Sequence, residues 1–173
     1  MILLLSTCSQ KMSESEFVAP IKRILDENNI ESETRRCSDI FITSDYDGII
    51  ICGTALKDFE YMKCDLSWIR EYDGKLLGIC SGAQMIALSH DLSLEQKTMI
   101  GRDKVSIERK NSIAEGTFDS YFLISQKPVL GKEFLPLDKY GYVFKHSEKE
   151  AYGLLFHPEV LNKEIILKFI GAC

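Results

Sequence analysis

The chain lacks a surplus of positive charge, a long hydrophobic run, a C-x-x-C pair and a glycine-rich phosphate loop. Each absence removes a class of function. With 21 Lys and Arg against 26 Asp and Glu, the net charge is −5, which argues against nucleic acid as the main partner, since a phosphate-binding face needs basic excess. Nothing approaches the roughly 20 apolar residues of a membrane span. The N-terminal "MILLLS" has only four apolar residues after Met1 and no basic segment before them, so it reads as a first strand and not as a signal peptide. These absences together place the expected protein in the cytoplasm.

Cysteine is present without the spacing that metals need. Cys8, Cys37, Cys52, Cys64, Cys80 and Cys173 include no close Cys/Cys or Cys/His pair, so no metal is expected. In a reducing compartment most should be free, buried thiols. Histidine is scarce as well, with only His90, His146 and His157. No repeat, low-complexity tract or linker interrupts the 173 residues, of which 45% are hydrophobic. One domain spanning 1–173, with a core that needs no staples, is the expectation.

What the chain does contain is an alternation of apolar strands and amphipathic helices. "ILLLS" reads as a buried strand, followed by Ser13 and Glu16 as a capping box for a helix carrying Phe17, Ile21, Ile24 and Leu25. "IESETRR" and "DGIIICG" read as the next strands, with a second helix over 59–72 on Phe59, Met62, Leu66 and Ile69. "GKLLGIC" is a further strand and "GAQMIALSH" a helix. The pattern predicts an α/β fold of the flavodoxin-like, doubly wound kind, with a mainly parallel sheet and helices on both faces. From 97 onward, "KTMIGR", "KVSIERK", "SYFLIS" and "YGYVFKH" read as shorter strands of a small antiparallel extension. "AYGLLFHPEV" is a last strand and turn, and "NKEIILKFIGA" a closing helix capped by Asn162.

In such sheets ligands bind beyond the carboxyl ends of the strands. Cys80 stands there, between Gly78 and Gly82 in "GICSG". A nucleophile on a tight strand-to-helix turn needs small neighbours two residues to either side, and its backbone is strained. The helix N-terminus below it favours a thiolate, and the Ser81 N–H becomes available to an oxyanion. A cysteine buried beside a glycine-requiring turn is the plain alternative. The base must be one of three histidines. His90 falls at the end of a helix, where it suits the dipole, and His146 lies in the charged "FKHSEKE", where a solvated side chain is expected. His157 ends a buried strand that Pro158 stops, and Glu159 can orient its ring.

"GICSGAQ" together with "FHPEV" resembles the class I, triad-type glutamine amidotransferases. "FHPEV" running into "KEIILKFI", with "IKRILDENNIESE" near the start, is most similar to the glutaminase subunits of GMP synthases. The resemblance implies Cys80 as nucleophile, His157 as general base and acid, and Glu159 as its orienting partner. It places Gln84 and Ser125 in the substrate pocket, and Gly53 beside Ser81 as a second oxyanion donor. It implies hydrolysis of L-glutamine to glutamate and ammonia through a glutamyl thioester, without a cofactor. No P-loop is present, so the ammonia-accepting synthase should be a separate polypeptide. Two segments depart from the family: "CGTALKD" replaces its Gly-Gly-Pro, and Gln126 stands where its Ser-His pair has histidine. These departures keep open a regulatory or binding homologue of impaired activity. A cysteine hydrolase or peptidase on a related fold is a further alternative.

Overall fold

The computed structural model describes residues 1–39 and 41–171. Seven strands form its central sheet: β1 (Ile2–Ser6), β2 (Ser32–Arg36), β3 (Gly48–Ile51), β4 (Lys75–Ile79), β7 (Phe134–Pro136), β8 (Val143–His146) and β9 (Ala151–Leu154). Their order across the sheet is β2-β1-β3-β4-β9-β8-β7. β2, β1, β3, β4 and β9 run parallel, while β8 and β7 continue the sheet antiparallel. Leu3, Leu4, Leu5, Ile49, Ile50 and Ile51 are fully buried, as a strand covered on both faces requires. This is the flavodoxin-like arrangement, with the antiparallel extension the sequence predicts.

The helices are α1 (Glu14–Phe17), α2 (Ala19–Glu27), α3 (Ser67–Glu71), α4 (Ser81–Ser89), α5 (Pro158–Leu161) and α6 (Lys163–Ile170). Several local expectations change. Ser13 makes no capping bond, because Lys11–Ser13 already form a 3-10 turn and Ser13 has helical φ/ψ, not the extended dihedrals of a cap. The helix expected over 59–72 is a 3-10 turn at Glu60–Lys63 and the short α3. Cys64 is extended between them, and the Asp65 carboxylate accepts the Ser67 N–H at 2.9 Å, which ends one turn and starts the next. Asn162 holds the N-cap position of α6, but its side chain turns away, donating to Asp119 O at 3.1 Å.

The expected short strands at 97–110 are one long strand, β5 (Leu94–Ser106), paired antiparallel with β6 (Thr117–Pro128). A register shift between Gln96 and Met99 absorbs the irregularity. This ribbon lies against the segments that follow β4 and β9. Phe122 bridges Phe156, and the His157 N–H donates to Tyr121 O at 2.8 Å. β6 therefore lies beside the carboxyl ends of β4 and β9.

The cysteines do not all remain free. Cys37, after β2, is joined by a disulfide to Cys64, 27 residues on, whereas Cys8, Cys52 and Cys80 are free and buried. Packing brings the first two together from segments that no spacing rule connects. Cys173 lies outside the described residues. Among the described residues, no helix is long and apolar enough to cross a membrane.

Candidate active site

Cys80 occupies the turn between β4 and α4 with φ 53° and ψ −107°. A non-glycine residue in that region is strained and persists only where the surroundings enforce it. The enforcement is visible in the two glycines. A Cβ on Gly78 would stand 2.5 Å from the Gly82 carbonyl, and one on Gly82 would overlap the Ile51 carbonyl. The first turn of α4 is thus pressed onto β3 and β4 at contact distance. A hydroxyl network fixes it there: Thr7 and Ser81 share a hydrogen bond of 2.8 Å, and Thr7 donates to Cys52 O at 3.0 Å. Ser81 is the first residue of α4 and its side chain is spent on this anchor.

His157 caps α5, whose first residue is Pro158, a placement that suits proline's fixed φ and missing N–H. Its Nδ1 pairs with Glu159 Oε1 at 2.8 Å, and both side chains are nearly inaccessible at 3% and 2%. Its Nε2 has no hydrogen-bond partner among the described residues. Burial by itself would push the imidazole's pKa down. The neighbouring Cys80 and then Glu159 outweigh it and push the value up to about 10. Gly53, just past β3, touches both sides of this pair. A Cβ there would lie 2.7 Å from His157 Cε1 and 3.3 Å from Cys80 Cβ. The Gly53 N–H has no backbone acceptor among the described residues.

On the other side of Cys80 lies a small cleft lined by Thr54, Leu56, Tyr61, Gln84 and Ser125. Gln84 is buried and donates from Nε2 to Gln126 O at 2.9 Å, while its Oε1 accepts the Tyr61 hydroxyl. Ser125 donates to Leu56 O at 3.4 Å, and the Cys80 thiol points to Leu123 O at 3.4 Å. The cleft holds about 10 Å³ of free space, about enough for one water. Cys80, Ser81, Gln84 and Ser125 thus face one cleft, with Gly53, His157 and Glu159 on the other side of Cys80. Thr7, Tyr61 and Leu123 are additions. Only Thr7 carried a signal in the sequence, a hydroxyl directly after the first buried strand.

The remaining histidines sit elsewhere. His146 is buried at 7% exposure and not solvated as expected. Its Nδ1 accepts the N–H groups of Glu148 and Lys149, both at 3.1 Å, so the charged turn folds back over its own histidine. His90 pairs through Nδ1 with Glu133 Oε2 at 2.8 Å. His90, Glu133 and His146 present ligand atoms within 4.8 Å of one another. They suit a metal poorly, because the acceptor role of His146 Nδ1 keeps the ring proton on Nε2.

No protein-family model matches the chain. The glutamine-hydrolysing GMP synthase subunit of Methanosarcina barkeri is 26% identical over 141 residues, covering 73% of this chain and 74% of that one. In structure, a candidate GMP synthase subunit of the same kind from Thermoplasma acidophilum superposes with a TM-score of 0.80 at 22% identity, over 100% of this chain and 94% of its own. A glutamine amidotransferase from Thermotoga maritima gives 0.76 at 14% identity, over 98% of both chains. In sequence and in fold, the chain resembles the class I glutamine amidotransferases, and among them the glutaminase subunit of GMP synthase.

Proposed function

We propose that the chain is a glutaminase that hydrolyses L-glutamine to glutamate and ammonia, acting as one domain over residues 1–173. The observation that carries this reading is the strained Cys80 on its strand-to-helix turn beside His157, whose Nδ1 is held by Glu159 at 2.8 Å. Cys80 Sγ attacks the side-chain amide carbon while its proton is held on His157 Nε2, the imidazole's pKa being pushed up to about 10 beside it. The N–H groups of Gly53 and Ser81 receive the oxyanion. His157 then gives its proton to the departing ammonia, leaving a glutamyl thioester on Cys80. Water loses a proton to the same nitrogen, attacks the thioester and releases glutamate. Gln84 and Ser125 face the amino-acid end of the substrate. The steps call for no metal and no organic cofactor.

Ammonia released to bulk water would be lost, so the product is consumed by a separate synthase polypeptide. The similarity to the glutamine-hydrolysing GMP synthase subunits makes a GMP synthase the partner to try first. The place of action is the cytoplasm, where glutamine is available. One observation favours the alternative of an impaired regulatory homologue: the 10 Å³ cleft cannot hold glutamine as it stands.

Labelling with 6-diazo-5-oxo-norleucine, an electrophilic glutamine analogue, separates the two readings. Peptide mapping should find modification on Cys80 alone, with protection by excess glutamine. Cys80→Ser should abolish both labelling and turnover. Labelling spread over several cysteines, or indifferent to glutamine, would leave a fold without the activity.

A further inference from the structure

The 10 Å³ cleft above Cys80 is separated by one side chain from a much larger space. That larger cavity, of about 760 Å³, opens past the ends of β1 and β2 and is lined by Thr7, Arg36, Asp39, Lys63 and Trp68. Among the described residues, only Tyr61 lines both it and the cleft that holds Cys80 and Gln84. Tyr61 is 2% exposed and belongs to the 3-10 turn at Glu60–Lys63. One hydrogen bond, from its hydroxyl to Gln84 Oε1, ties it to the nucleophile's own helix. Ligand sites for small molecules run to several hundred Å³, so the outer cavity has the size that the inner cleft lacks.

We propose that Tyr61 is a gate, and that glutamine reaches Cys80 from the outer cavity when the Tyr61 hydroxyl releases Gln84. The assignment of glutamine rests on the glutaminase reading above; the gate itself rests on the shared wall. The outer cavity carries charges of both signs in its lining, Arg36 and Lys63 with Asp39 and Asp65, although Arg36 is paired with Glu14 and Lys63 with Glu60. When Tyr61 swings out, the two spaces join and Gln84 Oε1 loses its internal donor. It is then free to accept a donor from the ligand. The 3-10 turn is anchored on both sides, by the Cys64–Cys37 bridge after it and by Asp58, held by Ser9 and Thr54, before it, so the movement falls to the Tyr61 side chain between them. Tyr61 is a positioning residue here, acting through Gln84 and through access, and it takes no part in bond making.

Tyr61→Phe keeps the ring and its burial and removes the tie to Gln84. Cys80 should be alkylated by the diazo analogue about five-fold faster than in the parent protein, the worth of one neutral hydrogen bond. The melting temperature should fall by only a few degrees, as loss of one buried hydrogen bond requires, and the buried Cys8 and Cys52 should stay as unreactive as before. Tyr61→Trp, with a larger plug, should react more slowly than the parent. A Tyr61→Phe protein that labels Cys80 no faster overturns the gate. So does one in which Cys8, Cys52 and Cys80 speed up together, since that reports general loosening. Iodoacetamide, run in parallel, keeps the two readings apart. If Cys80 takes iodoacetamide but never the diazo analogue, the glutaminase reading fails. The iodoacetamide rates then judge the gate alone, supported by a rise in Tyr61→Phe and overturned by its absence.

Discussion

Gly53 stands where a single methyl group decides whether His157 can keep its position. Gly53→Ala would bring a Cβ to 2.7 Å from His157 Cε1, so the ring must shift. Misplacing a catalytic group by about 1 Å costs on the order of 100-fold in rate. Glutamine hydrolysis should fall by about that factor in this variant, with a much smaller change in melting temperature; activity near the parent level would mean that His157 is not the base. The two buried histidines also pull stability in opposite directions with pH. His157 is raised from 6.5 to about 10 despite its burial, through Cys80 and then Glu159. Its contribution is therefore complete below pH 6.5 and lost as pH climbs through about 10. Cys80→Ser should flatten that alkaline decline in a melting profile. His146 is lowered from 6.5, by burial first and then by the charge of His90, against the opposing pull of Glu133. The unfolded chain takes up that proton before the folded one does, so stability falls as pH drops below 6.5. His146→Gln should make the acid side shallower.

Among the elements, α4 is the one on which the candidate site depends. It has no long amphipathic stripe, and Ser81 through Ala87 are all buried, so packing on β3 and β4 holds it in place. Gly82→Ala would drive a methyl group into the Ile51 carbonyl, and backbone cannot yield as a side chain can. Overpacking of this kind costs about 1–3 kcal/mol or more, and urea denaturation should show it together with loss of Cys80 labelling. The segment between β3 and β4 depends instead on the bridge between Cys37 and Cys64. Closing a loop of that length stabilises by about 3–4 kcal/mol in the chain-entropy account. A phosphine reductant should lower the denaturation midpoint accordingly, and a Cys37→Ser/Cys64→Ser variant should match the reduced protein and ignore the reductant. In a glutathione-buffered cytoplasm the bridge is open to reduction, which would loosen the segment that carries Tyr61.

For the molecule as a whole, the narrow cleft and the proposed synthase partner point the same way. A site with about 10 Å³ over Cys80 has to open before it can take glutamine. Glutaminase activity of the isolated chain should be weak, and it should rise several-fold when a cognate synthase and that synthase's own substrate are added. Ammonia release at full rate without any partner, unchanged by candidates, would remove the case for control by a second polypeptide.

Much of this organisation is legible in the chain because it is local. Fully buried parallel strands need continuous apolar runs, so "ILLLS" and "IIIC" announce the sheet. The steric demand of the Cys80 turn falls on neighbours two residues away, so Gly78 and Gly82 announce the turn. Proline's missing N–H marks the start of α5 after His157, with Glu159 two residues beyond; the strand expected to run to His157 ends at Leu154. Tertiary structure alone decided what those residues meet. Tyr61 reaches Gln84 across 23 positions, and Leu123 reaches Cys80 across 43. His146 is buried because β7 and β8 pack beside the end of α4 and bring His90 and Phe134 against it. Residue spacing records which face of an element turns inward. Which segment arrives on the other side depends on the order of strands in the sheet and on where the β5–β6 ribbon folds back, and neither leaves a mark on any short stretch of the chain.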